Sequence, residues 1–536
     1  MTTPTSAGSC LLLGRDWIVA ASPATLMMLK RIFTRINVSA GTKGEIRIRR
    51  SAEVDRKLEW FMILYPLDMG ATDRAELARG SERHRADEGV VAAIQSGTYE
   101  PREFTLAVTP RGYQRTAADL WLRVDRLLLG DELGLGKTIA ALTGLSDPST
   151  RPALVVMPTH LPEQWEGQIK RCFPDATTHI CQGITPYDIT ERAAKEAAKM
   201  SLFRPAPAPR WPDFVLCPYS RLVGWAPALA GRFAAVVADE VQELRHAESQ
   251  KYAAFHMVAD PARRVLGMSG RAIHNYGGEF WNPLDAIRPD CLGSKEEFAR
   301  EWCNKEGEER KWTLKSPQMF GEHIRKSGLF LARSRADVGA ELPPFTLIPH
   351  TCPTDHKALD RVSGRAVELA KLILAQKGPG RTAGLDAMRE GSELDRIMRQ
   401  ATGIAKAPYV ADFLRMVVES GEPVICAAWH REVYTILAEK LQDLAPAFYT
   451  GAETPKQKQE SLRRFLKGET PIFIMSLRSG AGIDGLQTVC RTAVVAEPDW
   501  SPAVHDQFFM RLDRDGQMNE TLGYFLLAES GSDPTV

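Results

Sequence analysis

Several features that would assign a protein to a class are missing from this sequence. Basic and acidic residues nearly balance, 68 against 67, and the formal net charge is +1. No excess of positive charge draws the whole chain to a polyanion, so such a partner would need a local basic patch. No apolar run approaches the roughly 20 residues that span a bilayer, and the patch CLLLG ends at Arg15 and Asp16. We expect a soluble, unexported protein with no membrane partner.

Cysteine motifs are also missing. The nine cysteines are scattered without a C-x-x-C pair, which argues against a zinc framework or a disulfide scaffold and favours reduced thiols in the cytoplasm. No tandem repeat or low-complexity tract interrupts the chain. What is present is an ordinary globular composition, 44% hydrophobic and 25% charged over 536 residues. That length predicts about three domains.

The pattern of strands and helices divides the chain into four predicted domains. Residues 1–104 have no strong motif and are interpreted as a small accessory domain, in which GEIRIRR alternates like a strand. Residues 105–289 place the apolar segments RLLLG, ALVVMP, DFVLCP, AAVVADE and RVLGMSG between helical stretches, which is typical of a doubly wound α/β domain with a buried parallel sheet. Residues 290–405 are interpreted as a helical insertion and connector. Residues 406–536 repeat the α/β pattern, from PVICAAWH to TLGYFLLAE.

The strongest chemical signal is RLLLGDELGLGKTIAAL, in which an apolar strand leads through a glycine-bearing loop into an apolar helix. This is the context of a phosphate-binding loop. Lys137 can reach terminal phosphates, the Thr138 hydroxyl suits magnesium, and Gly134 and Gly136 let the backbone approach an anion. The first position of the G-x-x-x-x-G-K-[ST] pattern is Asp131 instead of glycine. The segment predicts nucleotide binding.

Two carboxylates follow another apolar strand in FAAVVADEVQEL. Phosphoryl transfer needs one carboxylate to hold Mg²⁺ and a second group to orient the attacking water. Asp239 fits the first role and Glu240 the second. An Asp-Glu pair after a strand is by itself more often a helix start, so this interpretation depends on the phosphate loop that precedes it.

DELGLGKT and DEVQ together resemble motifs I and II of superfamily-two helicases, in the form found in Swi/Snf-type DNA-dependent ATPases. RGYQRTAADLWL, VVMPTHLPEQW, SGRAIHNYGGEF, LFLARSRADVGAELPPF, PVICAAWHREV, MSLRSGAGIDGLQ and EPDWSPAVHDQFFMRLDRDGQ resemble further motifs of the family in the expected order. The resemblance covers residues 105–525. Within the family, ATGIAKAPYVADFL and the Trp429-His430 pair are similar to compact HARP-type annealing helicases, and EWFMILYPLDM is similar to phage-encoded helicases.

The resemblance implies two RecA-like lobes that bind ATP and Mg²⁺ in the cleft between them and act on double-stranded DNA. The implied activity is that of an ATP-dependent DNA translocase that remodels or reanneals DNA or displaces bound proteins. Lys137, Asp239 and Glu240 would be catalytic, with Arg511 and Arg514 as cations for the γ-phosphate. Thr138 and Asp239 would hold the metal. The implied nucleotide-binding residues are Tyr113, Gln114, Asp131, Gly134, Gly136, Lys137, Thr138 and Gln517.

Duplex DNA would be contacted mainly through its phosphates and hence with little sequence preference. A structural role in loop or helix capping is an equal alternative for each candidate. We expect the protein in the cytoplasm of a bacterial or phage-infected cell, associated with the nucleoid when it is on DNA. The candidate DNA contacts by motif are Thr159, His160, Tyr219, Arg271, Arg478 and Ser479.

Two departures from the family pattern leave alternatives open. Arg271 stands where the family has a threonine, and it would contact phosphate or pair with a carboxylate. Asp513 stands where the family has histidine, between Arg511 and Arg514, so we expect it to pair with one of them and restrain turnover. A strand-separating DNA or RNA helicase and a low-turnover ATP-gated clamp are alternative functions. The N-terminal domain is a candidate surface for a protein partner.

Overall fold

The structure, a computed structural model, divides the chain into two compact units. The first comprises Met1–Glu132 and Gly136–Ser334, and the second comprises Leu133–Leu135 and Arg335–Val536. The described residues are 6–14, 16–33, 44–192, 210–270, 277–289, 291–304, 312–339, 343–355, 385–477, 483, 485–514 and 516–533.

The first unit begins with a small sheet in the order β3-β2-β1-β4. β1, β2 and β3 are antiparallel, and β4 pairs in parallel with β1. GEIRIRR forms β3, where Ile46 and Ile48 face the core together with Trp17, because side chains alternate across a strand. The elements are β1 Gly8–Leu13, β2 Asp16–Ala21, α1 Pro23–Ile32, β3 Glu45–Arg49, α2 Ala52–Leu64, β4 Leu67–Asp68 and α3 Ala71–Gln95.

The rest of the first unit is built on a seven-stranded parallel sheet in the order β13-β5-β10-β9-β6-β8-β7. Apolar clusters cover it on both faces. The strands are β5 Arg126–Leu129, β6 Ala153–Met157, β7 Thr178–Ile180, β8 Phe214–Pro218, β9 Ala235–Ala238, β10 Arg264–Met268, a short hairpin of β11 Cys303–Asn304 and β12 Thr313–Leu314, and β13 Phe330–Leu331. The helices are α4 Gly112–Val124, α5 Lys137–Leu145, α6 Pro162–Cys172, α7 Tyr219–Leu229, α8 Gln250–Ala259, α9 Trp281–Ile287, α10 Lys295–Trp302 and α11 Pro317–Lys326.

The second unit contains a six-stranded parallel sheet in the order β14-β19-β18-β15-β17-β16. Its two faces are also covered by apolar clusters. The strands are β14 Phe345–Cys352, β15 Val424–Ala428, β16 Ala447–Tyr449, β17 Ile472–Ser476, β18 Thr492–Val495 and β19 Thr521–Ala528. The helices are α12 Leu385–Glu419, α13 Arg431–Lys440, α14 Pro455–Leu466 and α15 Pro502–Phe509.

The predicted fold class, two doubly wound α/β domains, is confirmed by these sheets. β6, β8 and β10 are buried at every residue, as the continuous apolar runs predicted. In the described part of the chain, no helix combines the length and apolar character needed to cross a membrane.

The structure divides residues 290–405 differently from the sequence prediction. β13 joins the sheet of the first unit, and β14 joins that of the second. α12 runs through the predicted boundary after residue 405 without a break. Ala401, Ala405 and Ala407 are all buried on this one helix, so a domain boundary there would cut a continuous packed face. The segment is therefore shared between two units instead of forming a separate insertion.

Candidate functional site

The loop from β5 to α5 has the backbone conformation that its glycines predicted. Gly134 and Gly136 have φ values of 92° and 71°, in the left-handed region that side chains disfavour. At Gly136 a Cβ atom would also lie 2.6 Å from Nε2 of Gln114. The loop ends where Lys137 begins α5, and Thr138 is the second residue of that helix. The first backbone amides of α5 thus follow a glycine loop, as anion binding requires.

Lys137 turns its side chain back towards the loop. Its Nζ donates to the carbonyl oxygen of Asp131 at 2.7 Å and to that of Glu132 at 3.3 Å. Burial lowers the pKa of this ammonium group, while the charges of Glu240, Asp131, Asp239 and Glu132 oppose the shift. The charges of Asp239 and Glu240 therefore act on a partly buried lysine at the start of α5.

Asp239 and Glu240 follow β9, as the sequence predicted. Burial, followed by the charge of Glu240, raises the pKa of Asp239 to about 7, although a hydrogen bond from Trp165 and the charge of Lys137 oppose the rise. Nε1 of Trp165 donates to Oδ2 of Asp239 at 2.9 Å. Trp165 was missed as a site residue, although it lies in the VVMPTHLPEQW segment that resembles a family motif.

Glu240 has an unusual backbone for a residue with a side chain. Its φ and ψ are 51° and 54°, the left-handed conformation that non-glycine residues rarely adopt. Nε2 of Gln242 donates to its Oε2 at 2.5 Å, and its own amide donates to Oδ1 of Asp239 at 3.1 Å. The carboxylate of Glu240 is thus held by Gln242, and its backbone amide is held by Asp239.

Tyr113 and Gln114 open α4. Gln114 is buried, and its Oε1 accepts a hydrogen bond from the amide of Arg111 at 2.9 Å. The carbonyl oxygen of Tyr113 accepts one from Nη1 of Arg333 at 2.7 Å, and the guanidinium carbon of Arg333 lies 5.5 Å from the centre of the Tyr113 ring. The structure therefore places Gln114 against the glycine loop and Tyr113 against an arginine.

Asp131 braces the loop through an arginine that the sequence prediction did not name. Nη2 and Nε of Arg333 contact the two carboxylate oxygens of Asp131 at 2.5 Å and 3.0 Å. Only 1% of Asp131 is exposed. Both oxygens of this carboxylate thus contact Arg333, and nucleotide binding by Asp131 stays a prediction. The available signal was the arginine-bearing segment LFLARSRADVGAELPPF, which includes Arg333.

Arg511 and Arg514 lie in the turn after α15 in the second unit. Nη1 of Arg511 and Nη1 of Arg514 both donate to the carbonyl oxygen of Ile483, at 3.3 Å and 3.4 Å. We had predicted that Asp513 pairs with one of these two arginines, and this prediction is wrong. The Asp513 carboxylate is paired with Nη1 of Arg335 at 2.7 Å. The side chain between the two arginines thus turns to a different partner.

Gln517 has a structural role in the same turn. Its Nε2 donates to the carbonyl oxygen of Cys490 at 3.0 Å, and its Oε1 accepts from the amides of Met518 and Asn519, both at 3.1 Å. The residue is 6% exposed. The predicted nucleotide contact is corrected, because the amide group is buried and used by the backbone.

The candidate DNA contacts lie in different surroundings. Thr159 and His160 are exposed after β6, and the hydroxyl oxygens of Thr159 and Ser220 are 2.9 Å apart. Tyr219 is 1% exposed and belongs to the apolar core, so its predicted DNA contact is corrected. Burial raises the pKa of its hydroxyl well above the usual value. The other candidates, Arg271, Arg478 and Ser479, lie outside the described residues.

Comparison with known proteins finds a family model and several similar proteins. Residues 113–361 match the family model of the SNF2-related domain. The DNA annealing helicase and endonuclease ZRANB3 of Homo sapiens is 23% identical over 430 residues, which are 77% of this chain and 37% of that protein. The DNA repair and recombination protein RAD54-like of Gallus gallus is 23% identical over 466 residues, 75% of this chain and 61% of that protein. The chain thus spans less than two thirds of the length of either relative.

A solved structure of a Sulfolobus solfataricus SWI2/SNF2 ATPase core in complex with dsDNA aligns with 80% of this chain and 90% of that one. The sequence identity is 17% and the TM-score is 0.39.

The partly buried lysine after a glycine loop and the two carboxylates after a parallel strand define a phosphate-loop α/β domain. More particularly, residues 113–361 are similar to the SNF2-related domain. This match agrees with the predicted resemblance to the Swi/Snf-type group of superfamily two. An annealing helicase is among the relatives, in agreement with the HARP-type resemblance.

Proposed function

We propose that the chain is an ATP-dependent double-stranded DNA translocase that remodels or reanneals DNA or displaces bound proteins. The observation that carries the proposal is the position of Lys137, a partly buried cation that begins α5 directly after the glycine loop and donates to the carbonyl oxygens of Asp131 and Glu132. A cation at the start of a helix after a glycine loop is suited to the terminal phosphates of a nucleotide. The names of the two relatives support DNA as the second ligand.

Two side chains of the first unit and two of the second have roles in this proposal. Lys137 would exchange its two carbonyl contacts for phosphate oxygens, which compensate its charge better. Glu240 would orient the attacking water, since its carboxylate direction is fixed by Gln242. Arg511 and Arg514 of the second unit would supply positive charge to the γ-phosphate, a role that stays a prediction.

The side-chain oxygens of Thr138 and Asp239 are of the kind that binds a magnesium ion. Among the described residues no cluster of three or more His, Cys, Asp and Glu side chains forms a dedicated metal site. Mg²⁺ in nucleotide sites is usually held by one or two protein oxygens together with phosphates and water. The Thr138 hydroxyl and the Asp239 carboxylate would hold it, and the ion would neutralise charge on the phosphates.

The test is an ATPase titration with duplex, single-stranded, forked and RNA ligands. We expect hydrolysis that duplex DNA stimulates and that Lys137→Ala abolishes, with Lys170→Ala, an exposed lysine of α6, as the matched control. Equal rates with and without nucleic acid would contradict the proposal.

Triplex displacement beside fluorescent strand displacement separates a translocase from a strand-separating helicase. Nucleotide-dependent DNA affinity without turnover would favour the clamp.

The protein partner expected for residues 1–104 stays a prediction. Three apolar side chains of α2 are exposed and support it, with exposed fractions of 48% for Trp60, 71% for Ile63 and 59% for Leu64.

A further inference from the structure

A groove of about 440 Å³ opens beside the turn that follows Glu240 in the first unit. It is bounded by the 3₁₀ turn Val241–Leu244, the start of α8 and the start of α7. The residues that matter here are Ser220, Glu243, Arg245, His246, Ser249 and Lys251.

The side chains of this groove match the chemistry of a phosphodiester. Arg245 and Lys251 supply two permanent positive charges, and Glu243 compensates one of them through an ion pair with Lys251 at 2.8 Å. Ser220 adds a hydroxyl group and is linked at 2.9 Å to Thr159. Contacts to a nucleic-acid backbone are made by this combination of cations and hydroxyl groups. The net positive charge of the groove resides on Arg245.

Arg245 is connected to the catalytic carboxylate through a single residue. Its Nη1 donates to the carbonyl oxygen of Gln242 at 3.2 Å, and Nε2 of Gln242 donates to Oε2 of Glu240 at 2.5 Å. The backbone of Arg245 is fixed separately, because its carbonyl oxygen accepts a hydrogen bond from the side chain of Asn282. The guanidinium group is therefore the part of this connection that a ligand can attract.

Two features make the present arrangement of this connection unfavourable in free energy. Glu240 is held in the left-handed conformation, which costs free energy in a residue with a side chain. Oε1 of Gln242 is buried and has no hydrogen-bond donor among the described residues. A buried acceptor without a donor is also unfavourable. A small rotation of Gln242 could therefore relieve one cost while it changes the hydrogen bond to Glu240.

We propose that this groove binds a backbone phosphate of duplex DNA through Arg245, and that Gln242 transmits its occupancy to Glu240. The inference rests on the proposed function and deepens it, because it assigns the residues through which DNA stimulates hydrolysis. A phosphate on Arg245 draws the guanidinium group from the carbonyl oxygen of Gln242. The turn is then released, and the Gln242 amide repositions the Glu240 carboxylate. Gln242 is a positioning residue in this scheme.

The first test separates phosphate binding from folding. Duplex-DNA affinity of the full chain is measured by fluorescence anisotropy between 50 and 200 mM salt for wild type, Arg245→Gln and the control Arg171→Ala, an exposed arginine of α6. The slope of log affinity against log salt should fall by about one for Arg245→Gln, as expected when one phosphate contact is lost. Arg171→Ala should keep the wild-type slope. An unchanged slope for Arg245→Gln at an unchanged melting temperature would overturn the binding site.

The second test separates binding from coupling. Gln242→Leu should keep the wild-type salt slope, because Gln242 does not line the groove. The ratio of ATPase rates with and without duplex DNA should fall about tenfold, the change expected when one charge-assisted hydrogen bond is lost. A wild-type ratio in Gln242→Leu would overturn the relay.

Failure of the proposed function and failure of this inference give different results. If wild-type hydrolysis does not respond to DNA, the proposed function fails. If wild type responds and both variants respond equally well, the proposed function stands and this inference fails.

Discussion

Arg335 and Asp513 form an ion pair in the second unit, although 178 positions separate them in the sequence. Nη1 of Arg335 lies 2.7 Å from Oδ2 of Asp513, and Nη2 donates to the carbonyl oxygen of Asp513 at 2.9 Å. Both side chains are largely buried, with 15% and 10% exposed. The pair fixes the backbone of Asp513, the residue between Arg511 and Arg514. The carboxylate of Asp513 is thus paired with Arg335 and not with either of these arginines.

Replacing Asp513 should therefore destabilise the second unit without raising turnover. Asp513→Ala leaves the Arg335 guanidinium without its carboxylate, and we expect a loss of about 3 kcal/mol in the free energy of unfolding, measured by urea denaturation. Asp443→Ala removes a surface pair with Arg415 and should leave the midpoint unchanged. Asp513→His should behave like Asp513→Ala. Faster hydrolysis in Asp513→His would instead restore the view that this carboxylate restrains the enzyme.

The ion pair between Asp131 and Arg333 should be needed for both stability and nucleotide affinity. Asp131→Ala leaves a largely buried arginine uncompensated and should cost about 3 kcal/mol. Because Asp131 also holds the loop that leads to Lys137, we expect the KM for ATP to rise. Arg333→Ala should show the same two effects, and the double variant should cost less than the sum of the two single variants. Simple additivity in this double-mutant cycle would contradict a direct pair.

Tyr219→Phe distinguishes a core residue from a DNA contact. The Tyr219 hydroxyl is buried, and it neither donates nor accepts a hydrogen bond among the described residues. Removing it should leave stability unchanged or raise it slightly, because an unsatisfied polar group is lost. DNA affinity should stay at the wild-type value. Weaker DNA binding by Tyr219→Phe, at equal stability, would show that the hydroxyl reaches DNA and that our correction is mistaken.

Lys406 and Asp533 form a buried ion pair beneath β19, with 1% and 5% of their side chains exposed. The Lys406 ammonium group also donates to the carbonyl oxygen of Leu526 at 2.7 Å. Lys406→Met should destabilise the second unit by about 3 kcal/mol, because Asp533 is left charged in an apolar setting. Adding Asp533→Leu should recover much of the loss, as thermal unfolding would show. No recovery would mean that the lysine stabilises mainly through Leu526.

The sequence was sufficient for features that depend on neighbouring residues. The strand, glycine loop and helix around Lys137 were predictable because burial, left-handed glycines and helix initiation are local properties. The position of Asp239 and Glu240 after β9 was predictable for the same reason. The sequence also identified both parallel sheets from their continuous apolar runs.

Contacts between distant residues were not predictable in this way. Trp165 binds Asp239 across 74 positions, and Arg333 binds Asp131 across 202. No periodicity in one segment specifies such a partner, since the pairing depends on how the strands are ordered in the sheet. Tyr219 shows the same limit, because its place at the start of a helix does not determine which face of the helix it occupies.

The left-handed backbone of Glu240 has a consequence for protein engineering. Glycine at this position would adopt the same φ and ψ without strain, so Glu240→Gly should relax the backbone while it removes the carboxylate. The change at residue 240 that raises thermal stability would thus abolish turnover. A screen that selects only for thermal stability would tend to select variants without activity.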